Sequence, residues 1–291
     1  MKPIITVVSL ATLTILFLTN LAVGQGQVVD NPRGVAMGAL TADAIGTSGI
    51  IHNPAGLSRA YVYQVDLVYL RNDPGQLNIM GVNIADSKSQ PVLAAGLSYG
   101  FHSTDKGTEF EQKGHDARLG FSHPAIPDKL HLGVGLRYLE IERSSEDLED
   151  LEGFTLDVGL IFSVSKGFHI GLVGKNLIDL DDPLAPKQAG GGFAFTGDAV
   201  TLTTDVLMDL NRHLDGPKPI FAAGLEALLG DTIPIRVGYT NDRVTAHQFV
   251  GGGLGFIVRE GGGNGQLMLA YRHNLTETSN YTFGIGLTMF L

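Results

Sequence analysis

Several residues of this chain are of types that do chemistry, but their spacing argues against most of it. Gly96-Leu97-Ser98-Tyr99-Gly100 matches G-x-S-x-G, the nucleophile elbow of esterases. That reaction needs a sharp strand-to-helix turn exposing the serine, with an acid and then a histidine following in the chain. Ser98 instead falls inside an alternating apolar run, and His102-Ser103-Thr104-Asp105-Lys106-Gly107 reads as the loop after it. Of nine histidines, His115 and His273 share faces with apolar residues. No Ser and carboxylate join them there, as a nucleophile–base–acid set would require. Gly190-Gly191-Gly192 and Gly251-Gly252-Gly253-Leu254-Gly255 neither complete G-x-G-x-x-G nor open a helix, so they are no phosphate cradle. The acidic runs Glu146-Asp147-Leu148-Glu149-Asp150 and Asp179-Leu180-Asp181-Asp182 lack the spaced ligands and central glycine of a calcium loop. They read as solvated loops, with loose calcium binding beside lipopolysaccharide as the alternative. The expectation is therefore no enzyme, no catalytic residues, no cofactor and no dedicated metal site.

Composition points elsewhere. The 291 residues are 44% hydrophobic and include 39 glycines, with no cysteine and no tryptophan. So much glycine is unusual for a soluble domain, because it weakens both helices and strand interiors. The net charge of −10 argues against a nucleic-acid partner, which would want a basic face. Without cysteine there is neither a disulfide framework nor a lipoprotein anchor. Met1 to Gly24 has Lys2, an apolar core from Ile4 to Leu18 and small residues at Ala22 and Gly24, the anatomy of a signal peptide cleaved before Gln25. An uncleaved single-span anchor is the alternative. Beyond Gly24 no run approaches the roughly twenty apolar residues of a spanning helix.

From Tyr61 onward the pattern has period two. Tyr61, Tyr63, Val65, Leu67 and Tyr69 oppose Gln64 and Asp66. Leu130, Leu132, Val134, Leu136 and Tyr138 oppose His131, Gly133, Gly135 and Arg137. The pattern continues to Tyr281, Phe283, Ile285, Leu287, Met289 and Leu291. There are about fourteen such segments of roughly ten residues, the length of a tilted strand crossing a bilayer. One face is apolar and the other carries Gly, Thr, Asp and Arg, which predicts an all-β, antiparallel transmembrane β-barrel of about fourteen strands. Segment boundaries read this way slip by a few residues, which leaves roughly twelve to sixteen strands open. A soluble sandwich or propeller also alternates, but these segments are long for it. With both termini periplasmic, the polar connections fall mostly on the outer side and the short ones on the inner side.

On the inner face Asp66, Asp116, Arg118, Arg137, Asp157, Lys175, Asp205, Arg236 and Arg272 mix both signs. A sealed lumen would pair them; a channel would use them to set selectivity. Both readings stay open. Glycines on that face leave room for an inserted segment or a substrate path.

The candidate insert is Asn31 to Ser58. Pro32 stands early, and Ala36, Met37, Leu40 and Ala44 recur at roughly helical spacing, which predicts a short helix that Pro54 and Gly56 end. Gly34, Ala36, Met37 and Gly38, followed by Asn53-Pro54-Ala55-Gly56-Leu57, resemble the N-terminal signature of the FadL-like outer-membrane barrels and their PorV/PorQ relatives. Ala39-Leu40 depart from the family's usual Gly-Ala. The final alternating strand is similar to those that the barrel-assembly machinery reads, with Leu291 in the place of the common aromatic residue. The resemblance implies a signal peptide over 1–24, a plug or hatch over 25–60 and a barrel over 61–291. It implies a Gram-negative outer-membrane location amid lipid and lipopolysaccharide. It further implies passage of a hydrophobic, fatty-acid-like small molecule, with Gly34, Met37, Gly38, Asn53, Pro54 and Gly56 setting the hatch. The alternative is a non-transporting barrel anchoring a secretion or motility complex.

Overall fold

Fourteen alternating stretches become fourteen antiparallel strands in a computed structural model. It describes residues 30–90, 92–107, 111–144, 149–213, 216–260 and 263–291. The leader expected over 1–24, the first residues of the plug segment and part of the acidic run at Glu146 lie outside the described residues. The strands are β1 Tyr63–Asp73, β2 Leu77–Asp86, β3 Ala94–Thr104, β4 Gln112–Ile126, β5 Leu130–Arg143, β6 Leu151–Ser165 and β7 Phe168–Lys175. After them come β8 Gln188–Thr196, β9 Val200–Asp209, β10 Lys218–Leu229, β11 Ile233–Asp242, β12 His247–Glu260, β13 Gly263–Asn274 and β14 Tyr281–Phe290.

Each strand pairs with its sequence neighbours, and β1 pairs with β14 from Gln64 opposite Phe290 to Asp73 opposite Tyr281, so the sheet closes. Closure gives each strand a partner on both sides, as a bilayer core demands. Leu97, Leu119, Leu136, Val158, Leu172 and Leu254 point outward and are exposed. Such a continuous apolar girdle suits acyl chains and not water. Tyrosines gather on this outer wall toward one end, where Tyr99 hydrogen-bonds His115 (2.6 Å) and Tyr138 hydrogen-bonds Glu152 (3.2 Å). Amphipathic rings of this kind belong at the level of lipid headgroups.

The chain enters β1 and leaves β14 at one end, here called lower, where most turns are short. The longer connections lie at the upper end. One of them, residues 176–187, folds back into the mouth. β7 stops at Lys175, so β6 above Val158 has no β7 partner, and the connection covers it. Leu184 and Ala185 pack on Leu139, Ile141 and Leu151. Arg143 grips Asp182 through both carboxylate oxygens (2.7 and 3.0 Å). Asp179 accepts from the Asp181 N–H (3.0 Å) and from Asn211 (2.8 Å) and lies beside Lys187. These contacts, the Asp181 N–H first, hold its carboxyl below the ordinary range.

The plug differs from the single short helix expected. It holds two α-helices, α1 Pro32–Met37 and α2 Thr47–His52, and a 3₁₀ helix, η1 Pro54–Arg59. α1 stops before Leu40 because Gly38 takes a left-handed φ of 73° and returns its N–H to the Gly34 carbonyl. Pro54 does not simply end a helix. It opens η1 behind the N-cap Asn53, where its missing N–H costs nothing.

Candidate functional site

The three plug helices cross the lumen and lie on wall glycines. A Cβ on Gly238 would come within 2.4 Å of the Met37 carbonyl oxygen, and one on Gly251 within 2.4 Å of the Ala36 carbonyl oxygen. Pro32 lies against Gly286. On the opposite wall Pro54 and Ala55 occupy the space that a Gly133 side chain would need, and Leu57 lies on Gly96 and Gly120. The glycines that looked out of place in a strand are therefore the seats of the plug. Gly190 and Gly192 serve differently, meeting the main chain of β9 and the Asp205 carboxylate.

Of the residues expected to set the hatch, Met37, Gly38, Asn53 and Pro54 meet the wall, while Gly34 and Gly56 pack within the plug. Gly34 donates its N–H to Asn31 Oδ1 (2.8 Å) and leaves no room for a side chain beside Asp30. Met37 is fully buried, and Gly38 sits against Thr240. Asn53 donates from Nδ2 to three carbonyls: Thr41 of the plug (2.9 Å), Leu172 of β7 (3.2 Å) and Leu160 of β6 (3.4 Å). Its Oδ1 accepts from the Ala55 N–H (3.2 Å). Gly56 packs on the Ala44 main chain, which binds one part of the plug to another.

Charged pairs hold the plug to the wall. Arg33 bridges Asp43 (2.5 Å) and Glu226 (3.2 Å), and Glu226 also binds Arg236 (2.5 Å). Thr47 donates its hydroxyl to Asp66, and the Thr41 N–H reaches Asp205 Oδ2 (2.9 Å). Arg59 donates to the Ala42 and Ala44 carbonyls (3.1 and 2.9 Å). Sequence reasoning missed Arg33, Asp43, Arg59 and Glu226. The signal was there, in charges placed among the small apolar residues of the plug and at an inward position of β10.

The plug divides the lumen into two cavities. The lower, about 440 Å³, is lined by apolar Ile45, Val62 and Met268 together with Arg33, Asp66 and Arg236. The upper, about 240 Å³, is lined by Arg118, Arg137, Asp157, Lys175, Arg212 and Arg272, with Asp30 and Asp242. Of the nine inward charges predicted from sequence, Asp66 and Arg236 line the lower chamber and Arg118, Arg137, Asp157, Lys175 and Arg272 the upper. In the upper one Arg118 (3.0 Å) and Arg137 (2.9 Å) share the single carboxylate of Asp116. Asp157 accepts from the Asn176 N–H (2.7 Å). Arg272 lies over the Phe249 ring (5.0 Å), and its buried Nε has no protein partner among the described residues. Asp209 likewise pairs with Arg212, which leaves Lys175 and Arg272 as the lining cations outside a direct ion pair among the described residues and suits that side of the upper cavity to an anionic group.

Ser98 lies on the inner wall, fully buried, with no histidine bonded to it. Ser58 Oγ–His131 Nδ1 (2.8 Å) and Ser163 Oγ–His169 Nδ1 (2.9 Å) are contacts that the sequence did not show. Among the described residues neither histidine is hydrogen-bonded to a carboxylate, so no triad is assembled.

No protein-family model and no curated protein matches the sequence. Solved structures do match. The chain superposes on the P. putida toluene transporter TodX with a TM-score of 0.65 at 10% identity, over 90% of this chain and 98% of that one. The CymD monoaromatic hydrocarbon channel gives 0.64 at 12% identity, over 89% and 96%. A Pseudomonas aeruginosa FadL homologue gives 0.61 at 10% identity, over 91% and 97%. The closed fourteen-stranded barrel and the helical plug seated within it have the FadL-like fold.

Proposed function

We propose that this protein is a bacterial outer-membrane channel for hydrophobic small molecules that carry an anionic head, of the fatty-acid type. The observation that carries this reading is the plug-divided lumen, whose upper cavity holds Lys175 and Arg272 outside any direct ion pair among the described residues and whose lower cavity adds apolar Ile45, Val62 and Met268 to its charged groups. An amphiphile's carboxylate would be held by Lys175 and Arg272, which face Asp157 and the pair Asp30 and Asp242 without a direct ion pair to them among the described residues. Displacement of the Asn53–Pro54 segment would then open a way to the lower cavity. The likeness to the monoaromatic hydrocarbon channel CymD and the toluene transporter TodX supports passage of apolar solutes. The two cations outside direct ion pairs, Lys175 and Arg272, favour a charged head on this chain's own solute.

The test is uptake of a fluorescent long-chain fatty acid into liposomes carrying the refolded protein, with an Asn53→Ala/Pro54→Ala variant beside it. Uptake that exceeds protein-free liposomes and falls in the variant is the expected result. No uptake through a barrel shown folded by heat-modifiable migration would overturn the proposal.

The second reading is a non-transporting anchor of a secretion or motility complex. It is favoured by the burial of the plug, in which Met37, Asn53, Ala55 and Leu57 have essentially no exposed surface. Co-purification of a stable protein partner, together with absent uptake, is the result it expects.

A further inference from the structure

The register of the sheet builds a feature that neither the channel nor the anchor reading needs. Thr288 of β14 stands opposite Asp66 of β1, Asp66 opposite Asn83 of β2, and Asn83 opposite Ser98 of β3. Ser98 stands opposite Arg118 of β4, and Arg118 opposite Arg137 of β5. Directly paired residues share a face, so these six polar side chains form one inward row across six adjacent strands. Because a closed barrel is staggered, the row climbs as it winds. Thr288 and Asp66 line the lower cavity, and Arg118 and Arg137 line the upper one.

The middle of the row is chemically unfinished. Asn83 and Ser98 are 1% and 0% exposed, yet Asn83 Nδ2, Asn83 Oδ1 and Ser98 Oγ have no protein hydrogen-bond partner among the described residues. Apolar clusters flank them, Ile50, Leu57, Ala85 and Ala94 on one side and Ile51, Val68 and Ile79 on the other. An amide and a hydroxyl left unbonded in such surroundings are costly, and the usual remedy is bound water with two to four polar partners. The amide and hydroxyl offer both donors and acceptors, and so little exposure suits water better than any larger solute.

We propose that the row from Asp66 to Arg118 is a water path behind the plug, joining the two cavities and giving the barrel a water permeability independent of its hydrophobic solute. Asn83 and Ser98 are its narrowest relay, and the charged residues at its two ends are solvated from the cavities.

The experiment is stopped-flow osmotic shrinkage of liposomes carrying the full refolded protein, using water and an impermeant osmolyte and no hydrophobic solute. The wild-type protein is expected to shrink vesicles faster than protein-free liposomes do. Asn83→Leu/Ser98→Ala is expected to abolish that excess while its heat-modification temperature holds, because the change breaks no hydrogen bond to a protein group among the described residues. Should the double variant fail to fold, Ser98→Ala alone is expected to give an intermediate rate. Wild-type vesicles no faster than empty ones, or folded variants as fast as wild type, would overturn the proposal. Either result leaves solute uptake to be judged separately.

Discussion

Asn53 and Gly159 compete for one place on the barrel wall: a Cβ on Gly159 would lie 1.9 Å from Asn53 Oδ1. The plug's asparagine therefore depends on a glycine more than a hundred residues along the chain. Gly159→Ala is expected to displace Asn53 and to cost about 1–3 kcal/mol, the usual range for overpacking. In an Asn53→Ala background the same change should cost less, with Pro54 Cδ at 3.0 Å the close contact that remains. The heat-modification temperature of the two single variants and the double variant checks this coupling.

Asn53→Asp is the sharper test of the hydrogen bonds. The change is nearly isosteric, but it turns a donor facing the Thr41, Leu160 and Leu172 carbonyls into a fourth acceptor. It should destabilise more than Asn53→Ala, by about 2 kcal/mol or more, since a buried unpaired charge adds to the lost bonds. A milder effect than that of Asn53→Ala, read from urea unfolding in lipid, would contradict the geometry.

Gly238→Ala places a methyl group against main-chain oxygens of Met37 and Ala36, at 2.4 and 2.6 Å, which no side-chain rotation relieves. α1 should leave its seat, and planar-bilayer recordings are expected to show larger and more frequent openings than wild type.

Lys175→Gln/Arg272→Gln removes the two upper-cavity cations that are in no direct ion pair among the described residues. The expected outcome is reduced uptake of a fatty acid at low concentration with little change for a neutral hydrocarbon of similar length. Equal losses for both solutes would assign these residues a structural role.

Arg143→Gln frees Asp182 and with it the connection over 176–187. Limited proteolysis of reconstituted protein should then cut within that connection, while the wild-type loop, held also by Leu184 and Ala185 packing, resists.

Much of this was written locally. Period-two alternation set which face of each strand meets lipid, because successive side chains point to opposite sides whatever the register. That is enough to announce a barrel, its approximate strand number and the inward direction of Asp66, Arg118, Arg137, Asp157, Arg236 and Arg272. Asn53-Pro54-Ala55-Gly56-Leu57 and the run from Gly34 to Gly38 marked the insert. The spacing of Ala36, Leu40 and Ala44 suggested a longer α1 than exists, since Gly38 ends it with a backbone turn that residue spacing does not encode.

Only the tertiary structure decided which residues meet. Asn53 with Gly159, Arg33 with Glu226, and Asn83 with Ser98 are joined by closure and stagger, which depend on how all fourteen strands pair at once. Alternation repeats every two residues, so a shift of two leaves each strand's faces unchanged and every cross-strand neighbour different. The sequence by itself therefore determined a lipid-facing wall, a polar lumen and a small-residue insert. Pairing across the closed sheet, together with the plug's seat on its glycines, made the lumen into two cavities and a buried polar row.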